Sequence, residues 1–346
     1  MSENLTEREN AVLLAVLESY IATAEPTGSR KIAKQYPLGV SPATVRNTMA
    51  DLESKGFLAH PHTSAGRVPT DQAYRYYVDQ LMGWRSLPQT QQVRIERELT
   101  AGQATAVEEL VARAASVLSL LTGELGLAIG PALSEAVLQR LDLVPVDGEK
   151  VLLVFTLESG VVRTVYVDIR SSLTRQTLSA LAGALNERLA GSTLLEIEAT
   201  LTERLRDLPM EGSAGELVNI FMESGPEIFE WVATNRDVHL GAASVLAEQP
   251  EFTTTEGLRQ LIELTERRDL LAEVLGERGV TSGPQITIGT EHEAPELLDL
   301  TIVTATYSVG QLQGVVGVIG PTRMPYEKVI AVVDCTSALV SRLTQA

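Results

Sequence analysis

"SPATVRNTMADLESKGF", residues Ser41 to Phe57, is the stretch from which the fold follows. Ser41 can cap a helix, Pro42 suits its first turn, and Gly56 is placed to end it in a left-handed conformation. Advancing about 100° per residue, Met49 and Leu52 fall within about 40° of Val45, so the inward stripe is narrow. Ala43, Arg46, Asn47 and Ala50 point the other way. A face that had only to dissolve would more readily carry Glu and Lys. Arg can donate two hydrogen bonds to guanine, Asn can pair with adenine, and small residues such as Ala43 and Thr44 permit close approach to a base edge.

Working outward, Thr6 and Glu9 form a capping box ahead of Leu13, Val16, Leu17, Tyr20 and Ile21 at helical spacing. A short helix is expected from about Gly28 to Tyr36, stopped by Pro37 and Gly39. After Gly56, "FLAHPHTSAGRVPT" reads as strand, loop and strand, with Arg67 beside the turn. Three helices and a hairpin make a winged helix. In such a pair the second helix enters the major groove, and Ser29, Arg30, Lys31, Lys34 and Ser41 are placed for phosphates. Arg67 can equally reach DNA from the wing or flank a turn, and the polar face of the 41–57 helix also suits a protein-binding module.

The net charge of -17 over 346 residues argues against nucleic acid only as an average. Pro26 to Arg85 holds eight basic residues against four acidic, a basic module on an acidic body. No apolar run approaches the roughly 18 residues that cross a bilayer, and MSENLTEREN has no secretory character, so the cytoplasm is the expected location. The single cysteine, Cys335, excludes an internal disulfide and reads as an inert thiol on an apolar helix. His60 and His62 lack metal-ligand spacing, and no nucleophile set or phosphate loop is readable, so neither an enzyme nor a cofactor is implied. The glycines of "GQLQGVVGVIGP", 310–321, sit among strand residues and suit close packing or turns.

Beyond a linker helix near 89–99, "LDLVPVDGEKVLLVFTLESGVVRTVYVDI", 141–169, reads as an antiparallel meander. Strands return in "PQITIGTEHE", "LLDLTIVTATYSVG" and "LQGVVGVIG", ahead of a last helix from about Pro325. With mostly helical sequence between, one sheet assembled from both ends and carrying an insertion is expected. Within that insertion Phe221, Met222, Ile228, Phe229 and Trp231 cluster, which fits either a local core or a subunit interface.

"HPHTSAGRVPT" followed by "YRYYVD" resembles the heat-inducible transcription repressor family, HrcA, and "VHLGAASVLAEQPEF", "IGTEHE" and "GVIGPTRMPYEKVI" continue the likeness along nearly the whole chain. The sequence departs at Ala73, where members often carry Gly. The resemblance implies an α+β multidomain repressor with no enzymatic activity and no cofactor. Its parts would be a winged helix-turn-helix at 1–83, a linker helix at 84–104, a GAF-like antiparallel-sheet domain at 105–190 and 284–346, and a mostly helical inserted dimerisation domain at 191–283. As a homodimer it would bind the CIRCE inverted repeat of double-stranded DNA upstream of chaperone operons, with activity modulated by the GroEL chaperonin and no membrane partner. Ala43, Thr44, Arg46 and Asn47 would then meet bases. Ser29, Arg30, Lys31 and Ser41 would meet phosphates, with His62, Ser64 and Arg67 adding wing contacts, and the 221–231 cluster would join the dimer. GAF-like folds often sense small molecules, so a ligand-responsive repressor is the competing expectation.

Overall fold

The structure is a computed structural model that describes residues 5–61, 66–83, 86–101, 107–147, 149–169, 173–208, 212–234, 237–276 and 283–345. Helix α1, Glu7–Thr23, opens on the anticipated capping box, in which the Thr6 hydroxyl accepts from Glu9 N and the Glu9 carboxylate accepts from Thr6 N at 2.8 Å. Helix α2 spans Ser29–Gln35 and α3 spans Pro42–Ser54. Ser41 caps α3 by accepting from Thr44 N at 3.2 Å, and Gly56 leaves it at φ 82°, a left-handed conformation that a side chain would strain. Val45, Met49 and Leu52 are buried against α1 and α2, and this anchors the helix by its narrow stripe.

Strands β1, Leu58–Ala59, and β2, Val68–Pro69, pair antiparallel. Thr27 adds a short third edge by bridging to Arg67. Three helices and this ribbon have the winged-helix arrangement. Helix α4, Asp71–Tyr76, follows directly and widens into a π-helical turn over Tyr77–Leu81.

Helices α5, Gln89–Thr100, and α6, Val107–Thr122, lead to β3, Leu125–Ile129. Thr105 stands three residues before Glu108, the spacing of a capping box for α6, and lies outside the described residues. The meander follows as β4, Leu138–Asp147, β5, Lys150–Leu157, and β6, Val162–Asp168. Next come helices α7, Arg175–Leu189, α8, Leu194–Leu205, and α9, Gly212–Thr234, and then β7, Val238–Leu240. Short α10, Ser244–Ala247, precedes α11, Thr255–Glu266, and α12, Arg268–Gly276. Strands β8, Gln285–Ile288, β9, Leu300–Val309, and β10, Leu312–Pro321, end at α13, Tyr326–Leu343.

The meander does not join the late strands, contrary to the single sheet expected from the sequence. It forms its own three-stranded sheet, ordered β4-β5-β6, whereas a five-stranded antiparallel sheet runs β7-β3-β10-β9-β8. Of the earlier strands only β3 enters it. The reason lies in burial. Strand β5 alternates buried and half-buried residues along its length, as suits a sheet with one wet face, and α7 and α9 cover its dry side. Strands β9 and β10 are buried almost throughout because both faces of their sheet are covered. Helices α6 and α13 pack on one face, while Leu125, Leu127 and Ile129 of β3 meet Leu261, Leu264, Leu271 and Leu275 of α11 and α12 on the other. Residues 238–276 therefore belong with the five-stranded sheet, and the chain between β3 and β7 is the part that interrupts it.

Candidate nucleic-acid interface

Helices α2 and α3 pack as a helix-turn-helix pair, with the first turn of α3 toward solvent. Ala43, Arg46, Asn47 and Ala50 are exposed, as the 100° periodicity requires. Thr44 is half-buried and its hydroxyl lies 3.0 Å from that of Ser41. The cap bond from Thr44 N uses one lone pair of the Ser41 oxygen, which a phosphate contact would not need, since a hydroxyl meets phosphate as a donor. Ser29 opens α2 behind Gly28, a cap with no side chain, so no side chain caps the first turn, which carries exposed Arg30 and half-buried Lys31.

The basic residues divide into two groups. Among the described residues, no hydrogen bond or ion pair involves the side chains of Arg30, Lys31, Lys34, Arg46 or Asn47. Lys55 is instead held by Glu9, Nζ to Oε1 at 2.7 Å. That hydrogen bond is the main reason the Glu9 carboxyl is lowered from 4.5 to about 2. It ties the start of α1 to the end of α3, so α3 is fixed at both ends.

Arg67, read from the sequence as either reaching DNA from the wing or flanking a turn, is paired within the module. Its Nη2 lies 2.6 Å from Glu53 Oε2 on the last turn of α3, and its Nη1 meets the His60 ring. The guanidinium faces the module because a carboxylate one helix turn from Gly56 neutralises it there, a pairing that no sequence spacing signals. His62 and Ser64, the other wing residues, lie outside the described residues.

The aromatic cluster also divides. Phe221 and Phe229 are fully buried, with the Phe229 ring 5.3 Å from Phe155 and nearly perpendicular to it, so they are core rather than interface. Met222 and Ile228 are half-buried against the same core, and Trp231 alone is 46% exposed. The outer face of the meander was missed: Val144, Val146, Val162 and Tyr166 are exposed on it. Period-two alternation in β4 and β6 was its signal. Cys335 is half-buried in α13, where burial raises its thiol. The glycines of 310–321 lie in β10 and its turn, with Gly314 directly beneath the Tyr307 ring. Among the described residues no group of His, Cys, Asp or Glu could hold a metal ion, and no helix is long and apolar enough to cross a membrane.

Comparison with known proteins places these features in one context. A family model described as the HrcA protein C terminal domain matches residues 108–330. Curated relatives named heat-inducible transcription repressor HrcA match along almost their whole length. The one from Chlorobium chlorochromatii is 37% identical, covering 97% of each chain, and the one from Symbiobacterium thermophilum is 37% identical, covering 99% of each. A crystal structure described only as a hypothetical protein superposes with a TM-score of 0.62 at 22% identity, covering 99% of both chains, which shows that the fold is shared. The chain belongs to the HrcA family of heat-inducible transcription repressors.

Proposed function

We propose that this repressor binds duplex DNA as a homodimer, with α3 of each copy in the major groove of one half of an inverted repeat. The observation that carries the reading is the outward side of α3, where Ala43, Arg46 and Asn47 are exposed and the side chains of Arg46 and Asn47 have no partner among the described residues. On this reading Arg46 and Asn47 meet bases with Ala43 and Thr44 beside them. Ser29, Arg30, Lys31 and Ser41 hold phosphates. His62, Ser64 and Arg67 add wing contacts, Arg67 only after parting from Glu53.

The five-stranded sheet supports a GAF-like unit, and the block between β3 and β7, in place of 191–283, supports the dimerisation insert. Its wet sheet face, with Val144, Val146, Val162 and Tyr166, is the apolar surface on which two copies would meet. The relatives' names concern genes induced by heat. The target is then the CIRCE repeat upstream of chaperone operons, and the GroEL chaperonin sustains the active fold until heat-unfolded clients draw it away. Footprinting on chaperone promoters at two temperatures, after refolding with and without chaperonin, tests this. Protection of an inverted repeat, recovered better with chaperonin, is expected; no protection at either temperature overturns the DNA reading, and equal recovery overturns the chaperonin role.

One observation favours a second reading. A cavity of about 870 Å³ opens between Tyr20 of α1, Leu261 and Leu264 of α11, and Arg323, large enough for a small molecule. A metabolite that both raises the melting temperature and releases DNA would establish a ligand-responsive repressor.

A further inference from the structure

Three stretches that carry the family resemblance lie far apart in the chain and away from α3, yet they converge. "YRYYVD" supplies Tyr74, Arg75 and Tyr77, "IGTEHE" supplies Gly289, Thr290 and Glu291, and "GPTRMPY" supplies Arg323 and Tyr326. They meet where the winged helix sits on the five-stranded sheet.

Arg323, between β10 and α13, donates from Nη1 to the Ile21 carbonyl at 2.7 Å. Its Nε and Nη2 grip Glu251 at 2.7 and 3.0 Å. Ile21 lies in the last turn of α1, where carbonyls lack intrahelical partners, so the sheet unit completes the end of a helix in the N-terminal module. A second arm begins on α4. Arg75 donates to the Ile286 carbonyl of β8 at 2.7 Å and to both carboxylate oxygens of Glu291, and Asp71 accepts from Thr290 N at 2.9 Å. Gly289 makes this approach possible: at φ 49°, a Cβ there would lie 2.2 Å from the Asp71 carboxylate.

Between the two arms the Tyr326 ring packs on Tyr74 and Tyr77, with centroids 5.8 and 6.3 Å apart. Its hydroxyl donates to the Thr322 carbonyl at 2.7 Å. Tyr74 is within electrostatic reach of Arg323 and Glu251, and Tyr326 within that of Arg75, Asp71 and Glu291. The three contacts thus use the end of α1, the start of α4 and the side of α4.

The geometry points to a three-point clasp in which Arg75, Arg323 and Tyr326 are positioning residues for operator spacing. One attachment point leaves a module free to swing and two leave an axis, but a third at the end of α1, added to the two on α4, leaves a single orientation. This rests on the proposed binding of an inverted repeat by a dimer. Half-sites on one face of the duplex recur every ~34 Å, so a fixed module accepts one spacing. A module on a loose tether instead engages its second half-site at an effective concentration that changes little with spacing.

The test uses the full-length protein and fluorescent duplexes carrying either one half-site or the whole repeat with its spacer unaltered or lengthened by about half a helical turn. Wild type is expected to bind the half-site, to bind the unaltered repeat more tightly, and to lose that gain on the lengthened spacer. Arg75→Met combined with Arg323→Met should keep half-site affinity while narrowing the difference between the two spacers about tenfold. Exchanging the ion pair as Arg75→Glu with Glu291→Arg should restore part of that difference relative to Arg75→Met. Should the double variant fail to fold, Gly289→Ala, which forces the Asp71–Thr290 contact apart and removes no charge, replaces it with the same expected outcome. A clasp variant with the wild-type spacer profile overturns the inference, as does one that loses half-site and repeat affinity equally, since that is a purely structural role. If wild type binds neither duplex, the proposed function itself fails, a result distinct from failure of the clasp.

Discussion

Arg67 Nη2 lies 2.6 Å from Glu53 Oε2, so the cation beside β2 is neutralised by a carboxylate on α3 itself. The net positive charge of the module is therefore presented by α2 and by the first half of α3, and the wing contributes less than its sequence suggests. Glu53→Gln should release Arg67 and raise affinity for every duplex alike, with a steeper dependence on salt and unchanged base preference. Anisotropy titrations at several salt concentrations check this; a change in base preference would instead mark Glu53 as part of the reading surface.

Arg46 and Lys31 should separate specificity from affinity. Arg46→Ala is expected to lose about 1 to 3 kcal/mol of discrimination against a wrong base, the value of a bidentate contact. Lys31→Ala should weaken specific and unrelated DNA together and flatten the salt slope by about one. Competition between operator and scrambled duplexes measures both, and an Arg46→Ala protein with intact preference would remove α3 from the reading role.

Two buried carboxyls give opposite dependences of stability on pH. The hydrogen bond from Lys55, with those from Thr6, holds Glu9 at about 2 against a usual 4.5. Its stabilisation is therefore complete above 4.5 and is lost as pH falls toward 2. Burial pushes Glu124 up to about 8, with Gln249 Nε2 donating to it at 2.9 Å. The folded state then keeps a proton that the unfolded chain releases, so stability falls as pH rises from 4.5 to 8. Glu124→Gln preserves the Gln249 hydrogen bond and should remove that fall, while Glu9→Gln should cost about 1 to 2 kcal/mol at neutral pH and little near pH 2. Denaturant melts across this range read both signs.

Tyr74 and Tyr326 are both buried, but their hydroxyls differ. Tyr326 Oη donates to the Thr322 carbonyl and lies 3.1 Å from the Thr301 hydroxyl, whereas Tyr74 Oη has no hydrogen-bond partner among the described residues. Tyr326→Phe should cost about 1 kcal/mol, and Tyr74→Phe should be neutral or stabilising because it removes a desolvated hydroxyl. Thermal melts of the two single variants decide the point, and equal losses would contradict it.

What the sequence determined by itself is local. The Thr6–Glu9 box, the Ser41, Pro42 and Gly56 signals around α3, and the narrow Val45, Met49, Leu52 stripe are all legible because a cap or a helical face is set by residues within one or two turns of each other. Tertiary structure alone decided everything that depends on a partner distant in the chain. It decided that the meander forms its own sheet while β3 joins the late strands, because strand pairing is a long-range choice between surfaces of similar propensity. It placed Phe221 and Phe229 in the core and left Trp231 at the surface, though all three share one helix. It turned Arg67 onto Glu53 and brought Arg75, Glu291 and Arg323 to one junction, because charges more than a few helical turns apart in the chain find each other only after the backbone has folded between them.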